Sequence, residues 1–199
     1  MSAQVEGDRS MHPSAEELGR RLAAAGASPR DGGRLVAIFA RPAFGERLPL
    51  AEGVLDPVAG LEGDDWRARG SRRTADGRAH PEMQLTLMDV RILAAIAGHP
   101  SRFALAGDQL IVDLELGAEQ LPPGTELVIG AAVIAITAFP HTGCAKFAER
   151  YGAPALALVS TAEGRRRNLR GVNARIVRRG TVRVGDPIRR IPAAPAPST

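Results

Sequence analysis

Several residue types are almost missing from this chain. Its 199 residues include one cysteine, one tryptophan and one tyrosine, and aromatic residues make up 4%. A single cysteine, Cys144, excludes an internal disulfide and fits a reducing cytoplasm. So few aromatics give no surface for stacking bases, and nucleic acid is not an expected partner. No apolar run approaches the roughly 20 residues that a membrane-spanning helix needs, so no membrane association is expected. The N-terminus lacks the charged-then-apolar pattern of a secretory signal. Lysine is scarce as well: of 26 basic residues, only Lys146 is not arginine. Codon bias explains such an excess, and a lysine retained under it stands out because an ammonium is a compact charge able to shift its pKa. A surface lysine left by chance is the plainer reading.

What is present is ordinary for a globular protein, with 44% hydrophobic and 24% charged residues. The length suits one domain with a real core. Charge is unevenly placed. Residues 144–199 carry 12 basic and 3 acidic side chains, whereas residues 1–143 carry 14 and 19. The positive excess of the last third points to an anionic partner.

That excess begins at the stretch Phe139 to Gly152 (FPHTGCAKFAERYG), which holds the only cysteine, lysine and tyrosine. The apolar run Ala131 to Phe139 reads as a buried strand ended by Pro140. Thr142 is placed as the N-cap of a short helix with Gly143 and Cys144 in its first turn. Cys144, Phe147, Ala148 and Tyr151 then share one helical face, and Gly152 stops the helix. A thiol at a helix start, near Lys146 and Arg150, is pushed toward thiolate. Such a cysteine suits a soft-metal ligand, a nucleophile or a sulfur carrier, and a buried structural thiol is the plainer reading.

Elsewhere the chain reads as many short strands with a few helices. Ser14 to Glu17 is a capping box opening an appended helix that ends at Gly26. Arg34 to Ala40 is a strand. Residues 67–82 form a loop bearing Arg67, Arg69, Arg72, Arg73 and Arg78, either a functional excursion or a solvated one. Gln84 to Met88 is a strand and Asp89 caps a helix through Ala97. Phe103 to Leu116 is β-like around Gly107, and Thr125 to Phe139 makes a hairpin. Ser160 to Glu163 is a second capping box. Arg165, Arg166, Arg167 and Arg170 form a solvated face or a phosphate site. Leu169 to Val177 and Thr181 to Ile188 are strands. The fold class is therefore mainly β (α+β), a closed or half-closed barrel. Residues 1–33 are read as tail and appended helix, 34–190 as the domain and 191–199 as a Pro/Ala-rich tail.

The order of seven segments resembles the MOSC domain, the module at the C-terminus of molybdenum-cofactor sulfurases that also occurs in small bacterial proteins. They are Gly60 to Asp64 (GLEGD), Gln84 to Asp89 (QLTLMD), Gly107 to Leu110 (GDQL), Pro122 to Thr125 (PPGT), Pro140 to Lys146 (PHTGCAK), Leu169 to Asn173 (LRGVN) and Gly185-Asp186. The resemblance implies a MOSC-type β-barrel with a few short peripheral helices. It implies that Cys144 ligates molybdenum or carries sulfur for it, in a molybdenum cofactor (molybdopterin) whose phosphate is held by basic side chains. Lys146 and His141 would tune charge or move protons beside Cys144, and a histidine with pKa near 6.5 would suit a proton donor. Thr142, Gly143, Arg170, Asn173 and Arg175 would hold the cofactor, with Arg170 and Arg175 on its phosphate. The implied activity is reduction of N-hydroxylated or similar N–O small molecules, with a separate electron donor. The alternatives are a sulfur-transfer or carrier module that uses a Cys144 persulfide, with a separate sulfurase, and a non-catalytic anion- or nucleic-acid-binding barrel. Two segments depart from the family pattern: Gly107-Asp108-Gln109 stands for Gly-Glu-Asn, and the arginine-bearing loop is longer than expected. Nothing resembles the pyridoxal-phosphate half of the large sulfurases, so no pyridoxal phosphate is expected.

Overall fold

Alternation along the strands explains the architecture. In β1 (Gly33–Ala40), Ile38 points into one apolar cluster and its neighbour Phe39 into another. The same split separates Leu87 from Met88 in β5 (Leu85–Asp89), and Leu110 and Val112 from Ile111 in β6 (Leu110–Asp113). Each of these strands therefore has two buried faces, one lining a barrel and one covered by helices. The computed structural model describes residues 12–192. The expectations for the outermost tails, residues 1–11 and 193–199, lie outside the described residues.

Four more strands complete the barrel: β7 (Glu126–Ile129), β8 (Ala132–Ile136), β9 (Val172–Arg178) and β11 (Pro187–Arg190). Seven strands run in the order β11-β7-β8-β9-β5-β6-β1, and β1 pairs back onto β11 at Gly33↔Ile188 to close the cylinder. Every pairing is antiparallel except β5–β6, which is parallel. A parallel pair needs a crossover, here made by helix α3 (Val90–Ala97) and a 3-10 segment at Pro100–Ala106. The edge strand β2 (Leu48–Leu50) extends the barrel sheet from β1. The strands β3 (Glu52–Asp56), β4 (Gly60–Leu61) and β10 (Gly180–Arg183) form a second, smaller sheet. The mainly-β barrel expected from the sequence is thus present.

The outer cluster joins α1 (Ala15–Ala24), α3, α4 (Ala145–Tyr151) and α5 (Ala153–Ser160) through Leu18, Ile96, Phe147, Tyr151 and Val159. Ser14 accepts from the Glu17 N–H and caps α1, whose Leu18 is buried in this layer. Asp89 caps α3 through the Arg91 N–H, as its position before an apolar run predicts. Among the described residues, no helix is long and apolar enough to cross a membrane.

Four local expectations are corrected. The β-like reading of Phe103 to Leu116 fails before Leu110, because Pro100 opens a 3-10 segment that buries Phe103 and Ala106, three residues apart, in the outer cluster. Gly107, at φ 82°, ends that segment in the left-handed region. The strand before the cysteine stops at Ile136 rather than Phe139. Thr161, not Ser160, caps α6 (Ala162–Arg166), because Ser160 is still the last residue of α5. Finally, Thr181 to Ile188 is not one strand. Asp186 accepts from the Arg183 N–H and turns the chain between β10 and β11.

Candidate functional site

Between β8 and α4 the chain runs as an irregular loop, residues 137–144. Its course is set from below: Asn173 Nδ2 donates to the Phe139 carbonyl at 3.0 Å. Gly143 packs so closely on α5 that a Cβ there would lie 2.5 Å from Leu156 Cδ1. The helix then starts two residues later than the sequence pattern suggests. Cys144 is itself the N-cap, at φ −134° and ψ 174°, and no side chain caps the helix. Thr142 therefore is not the cap. The shared helical face is also corrected: Phe147 and Tyr151 are buried, whereas Cys144 is exposed. An exposed cysteine removes the buried structural reading.

Lys146 is the second residue of the same helix, and its Nζ sits 3.7 Å from the centroid of the Phe44 ring. Phe44 is 83% exposed and lies in the loop after β1. An exposed aromatic under a cation is held partly by that contact, worth about 0.5–1 kcal/mol at such sites.

The same β1 loop carries Arg41 and Arg47 into a cluster of cations. Arg41 is gripped by Asp64, which accepts from its Nε at 2.8 Å, its Nη2 at 2.9 Å and its backbone N–H at 3.0 Å. Burial pushes the Asp64 carboxyl up, but the Arg41 bonds outweigh it and hold the group below the usual carboxylate range. Arg69, in the short helix α2 (Trp66–Arg69), pairs with Asp65 at 2.6 Å. Burial, together with Arg150, Arg41 and Arg69, pushes Arg47 down from the usual guanidinium value. The Arg47 Nε is buried with no hydrogen-bond partner among the described residues. Four guanidiniums (Arg41, Arg47, Arg69, Arg150) thus face the two carboxylates Asp64 and Asp65.

These cations converge on one turn. Three successive carbonyls each accept from a different arginine: Leu105 from Arg150 Nη1 at 2.7 Å, Ala106 from Arg170 Nη2 at 3.0 Å, and Gly107 from Arg41 Nη1 at 3.1 Å. Next in the chain, Asp108 accepts from Arg170 Nη1 at 2.7 Å and lies 3.5 Å from His141 Nδ1. Asp108 is fully buried, which pushes its carboxyl up against the opposing pull of Arg170. Gln109 accepts from the Thr86 N–H and hydroxyl at 2.9 and 2.7 Å. The departure at Gly107-Asp108-Gln109 is thus a buried scaffold under the cysteine loop.

The predicted site residues divide accordingly. His141, Thr142, Gly143 and Arg170 line one cavity of about 210 Å³. Cys144 and Lys146 stand at the exposed start of α4. Asn173 is buried beneath the loop, with Oδ1 unpartnered among the described residues. Arg175 lies exposed on β9, and none of the contacts described above involves it. Arg170 is tied up inward, with both terminal nitrogens on Asp108 and the Ala106 carbonyl. Burial, then Arg170 and Arg41, push His141 well below its usual 6.5, which works against the proton-donor role expected of it. The sequence reading missed Asp108, Arg41, Asp64, Arg47 and Phe44. Asp64 and Asp108 lie inside the segments that carried the resemblance, but nothing in the sequence distinguished the paired arginines from their exposed counterparts.

Among solved structures, the chain is similar to the YuaD protein of Bacillus subtilis, with TM-score 0.61 and 14% identity over 79% of this chain and 95% of that one. It is also similar to YiiM of Escherichia coli, with TM-score 0.52 and 18% identity over 81% and 71% of the two chains. YiiM of Geobacillus stearothermophilus gives TM-score 0.53 and 15% identity over 80% and 75%. At such identities the likeness is one of fold. No curated protein matches the sequence. A model of the MOSC domain matches residues 81–189, more than half of the chain, including the whole segment from Gln84 to Asp186 that joins strand, scaffold turn, cysteine loop and basic third. The chain belongs to the MOSC domain family.

Proposed function

We propose that this chain holds a molybdenum cofactor, with the Cys144 thiolate as the protein ligand to the metal and the Arg47–Arg150 cluster on the cofactor's phosphate. The observation that carries the reading is an excess of positive charge beside an exposed cysteine: buried Arg41, half-buried Arg47 and Arg150 and exposed Arg69 against two carboxylates, with the Arg47 Nε left unpartnered among the described residues. A phosphate supplies the missing negative charge and accepts from guanidinium in fork geometry. A thiolate is a soft donor suited to a soft metal. Among the described residues, no group of three His, Cys, Asp or Glu side chains gathers elsewhere as a metal set.

When bound, the cofactor supplies two-electron redox chemistry at the metal. The chain's own part is positional and electrostatic. Cys144 presents its sulfur from the N-cap of α4. Lys146, steadied on Phe44, adds a positive charge and a proton beside that sulfur. Neutral His141 orients the loop rather than donating a proton. These roles suit reduction of an N–O bond in a small molecule, which consumes protons, with electrons from a separate protein. The exposure of Cys144 also favours a second reading, a sulfur carrier in which Cys144 bears a persulfide delivered by a separate sulfurase.

The test is metal and pterin content of protein made in a host that synthesises the cofactor. The expected result is near-stoichiometric molybdenum and pterin, both lost in Cys144→Ser and reduced in Arg47→Gln. Metal content unchanged in Cys144→Ser would refute the assignment. Absence of metal from the parent protein, with cyanide-releasable sulfur that disappears in Cys144→Ser, would establish the carrier instead.

A further inference from the structure

The cavity behind the cysteine loop has features that the cation cluster in front does not explain. It lies between the Pro140–Gly143 segment and the α5–α6 corner, with a volume of about 210 Å³. That is below the roughly 300–1,000 Å³ of sites for drug-sized ligands, so a pterin or nucleotide is too large for it. One of its lining residues, Arg170, carries a buried polar atom without a partner among the described residues, its Nε, whereas the unpartnered Nδ1 of His141 lies 3.5 Å from Asp108 Oδ1. Arg170 is only 7% exposed, so bulk water does not serve its Nε–H. An unserved buried donor of a charged group carries the full cost of its desolvation.

The charge balance identifies the missing partner. Arg165 and Arg170 line the cavity, and no carboxylate does. Asp108, behind Arg170, offsets one of the two charges. His141 adds none, because it faces Asp108 as a neutral ring. One positive charge is left over, with the Thr142 hydroxyl on the same wall as a further polar group.

We infer that this cavity is a second ligand site, for a small oxyanion of single negative charge, either an inorganic anion or a carboxylate. Its wall includes Gly143, the residue before Cys144, so an occupant stiffens the segment that presents the thiol. The inference does not depend on whether Cys144 holds a metal.

The experiment is titration of the full chain with nitrate and, separately, formate, against chloride at matched ionic strength, followed by amide resonances. The expected result is saturable shifts at Gly143, Gly164 and Asn168 with either oxyanion but not with chloride. The relative affinities of nitrate and formate then rank the inorganic source against the carboxylate. In Arg165→Gln, an exposed position that folding tolerates, affinity falls about tenfold or more, the order expected for losing a charge-assisted hydrogen bond. In Arg47→Gln, which alters only the front cluster, affinity is unchanged. No saturable shift with either oxyanion overturns the proposal. So does equal affinity in Arg165→Gln and the parent, or a loss in Arg47→Gln as large as in Arg165→Gln.

Discussion

Replacing Asp108 with alanine tests the scaffold on which the site rests. Asp108 is fully buried and takes a 2.7 Å hydrogen bond from Arg170, which is itself almost inaccessible. Removing the carboxylate leaves a guanidinium in the interior with the Ala106 carbonyl, the weakly accepting Met88 sulfur at 3.9 Å and the Phe147 ring face, 4.9 Å away, for company. Breaking one side of a buried pair costs about 3–5 kcal/mol, because the remaining charge is stranded. For a domain of this size that corresponds to a fall of roughly 6–20 °C in melting temperature. Removing both charges is a different perturbation. Burial already pushes the Asp108 carboxyl up, so the pair itself carries a desolvation cost. The double variant Asp108→Leu with Arg170→Met therefore recovers to within about 1–2 kcal/mol of the parent, the residue being the lost bond to the Ala106 carbonyl. Urea unfolding at pH 7, followed by the single buried Trp66, measures both. A loss under about 1 kcal/mol in Asp108→Ala would refute the claim that this pair anchors the cysteine loop.

Two further predictions concern the loop itself. His141 is held well below its usual 6.5 in the folded chain, so the unfolded chain binds its proton first as pH falls. Its contribution is intact above about pH 6.5 and is lost on acidification, by up to about 1.4 kcal/mol per pH unit until the folded ring also protonates. Asp89 and Asp108 are raised, and each acts in the opposite sense as it titrates. The measurable quantity is therefore the difference between parent and His141→Gln in urea midpoint from pH 7.5 to 5, and a difference independent of pH counts against the assignment. Gly143→Ala places a Cβ 2.5 Å from Leu156 Cδ1 and costs about 1–3 kcal/mol by overpacking. Leu156→Ala in the same chain relieves that clash, and failure to do so removes packing as the reason for glycine.

The barrel was legible because its strands carry short apolar runs bounded by turn residues, and because Asp89 and Ser14 announce helix starts that the structure keeps. The reading failed where a different period competed. Phe103 and Ala106 are spaced for a 3-10 turn, and an apolar run with a proline three residues ahead does not distinguish that from a strand. Cys144 was found from its neighbours Lys146 and Gly143, yet the helix start was off by two residues, since Thr142 has the better capping chemistry and the loop is instead held by Asn173 and Leu156. The arginines were the least legible part. With 25 of them in the chain, composition gives no sign that Arg41 and Arg170 are buried while Arg175 is exposed. Only the fold, by delivering Asp64 and Asp108 to them, makes that distinction.

The three-carbonyl turn at Leu105–Gly107 has a consequence for motion. Through Arg41, Arg150 and Arg170 it fastens the exit of β1, the body of α4 and the entry to β9, segments far apart in the sequence. None of these can loosen alone without unseating an arginine from a carbonyl that would then lack a donor. Segments tied in this way open as one cooperative unit rather than fraying separately. Amide exchange along α4 and the first residues of β9 therefore shares a single opening free energy, and the thiol at the head of that helix is presented on a platform whose slowest fluctuation is common to both sides of the barrel.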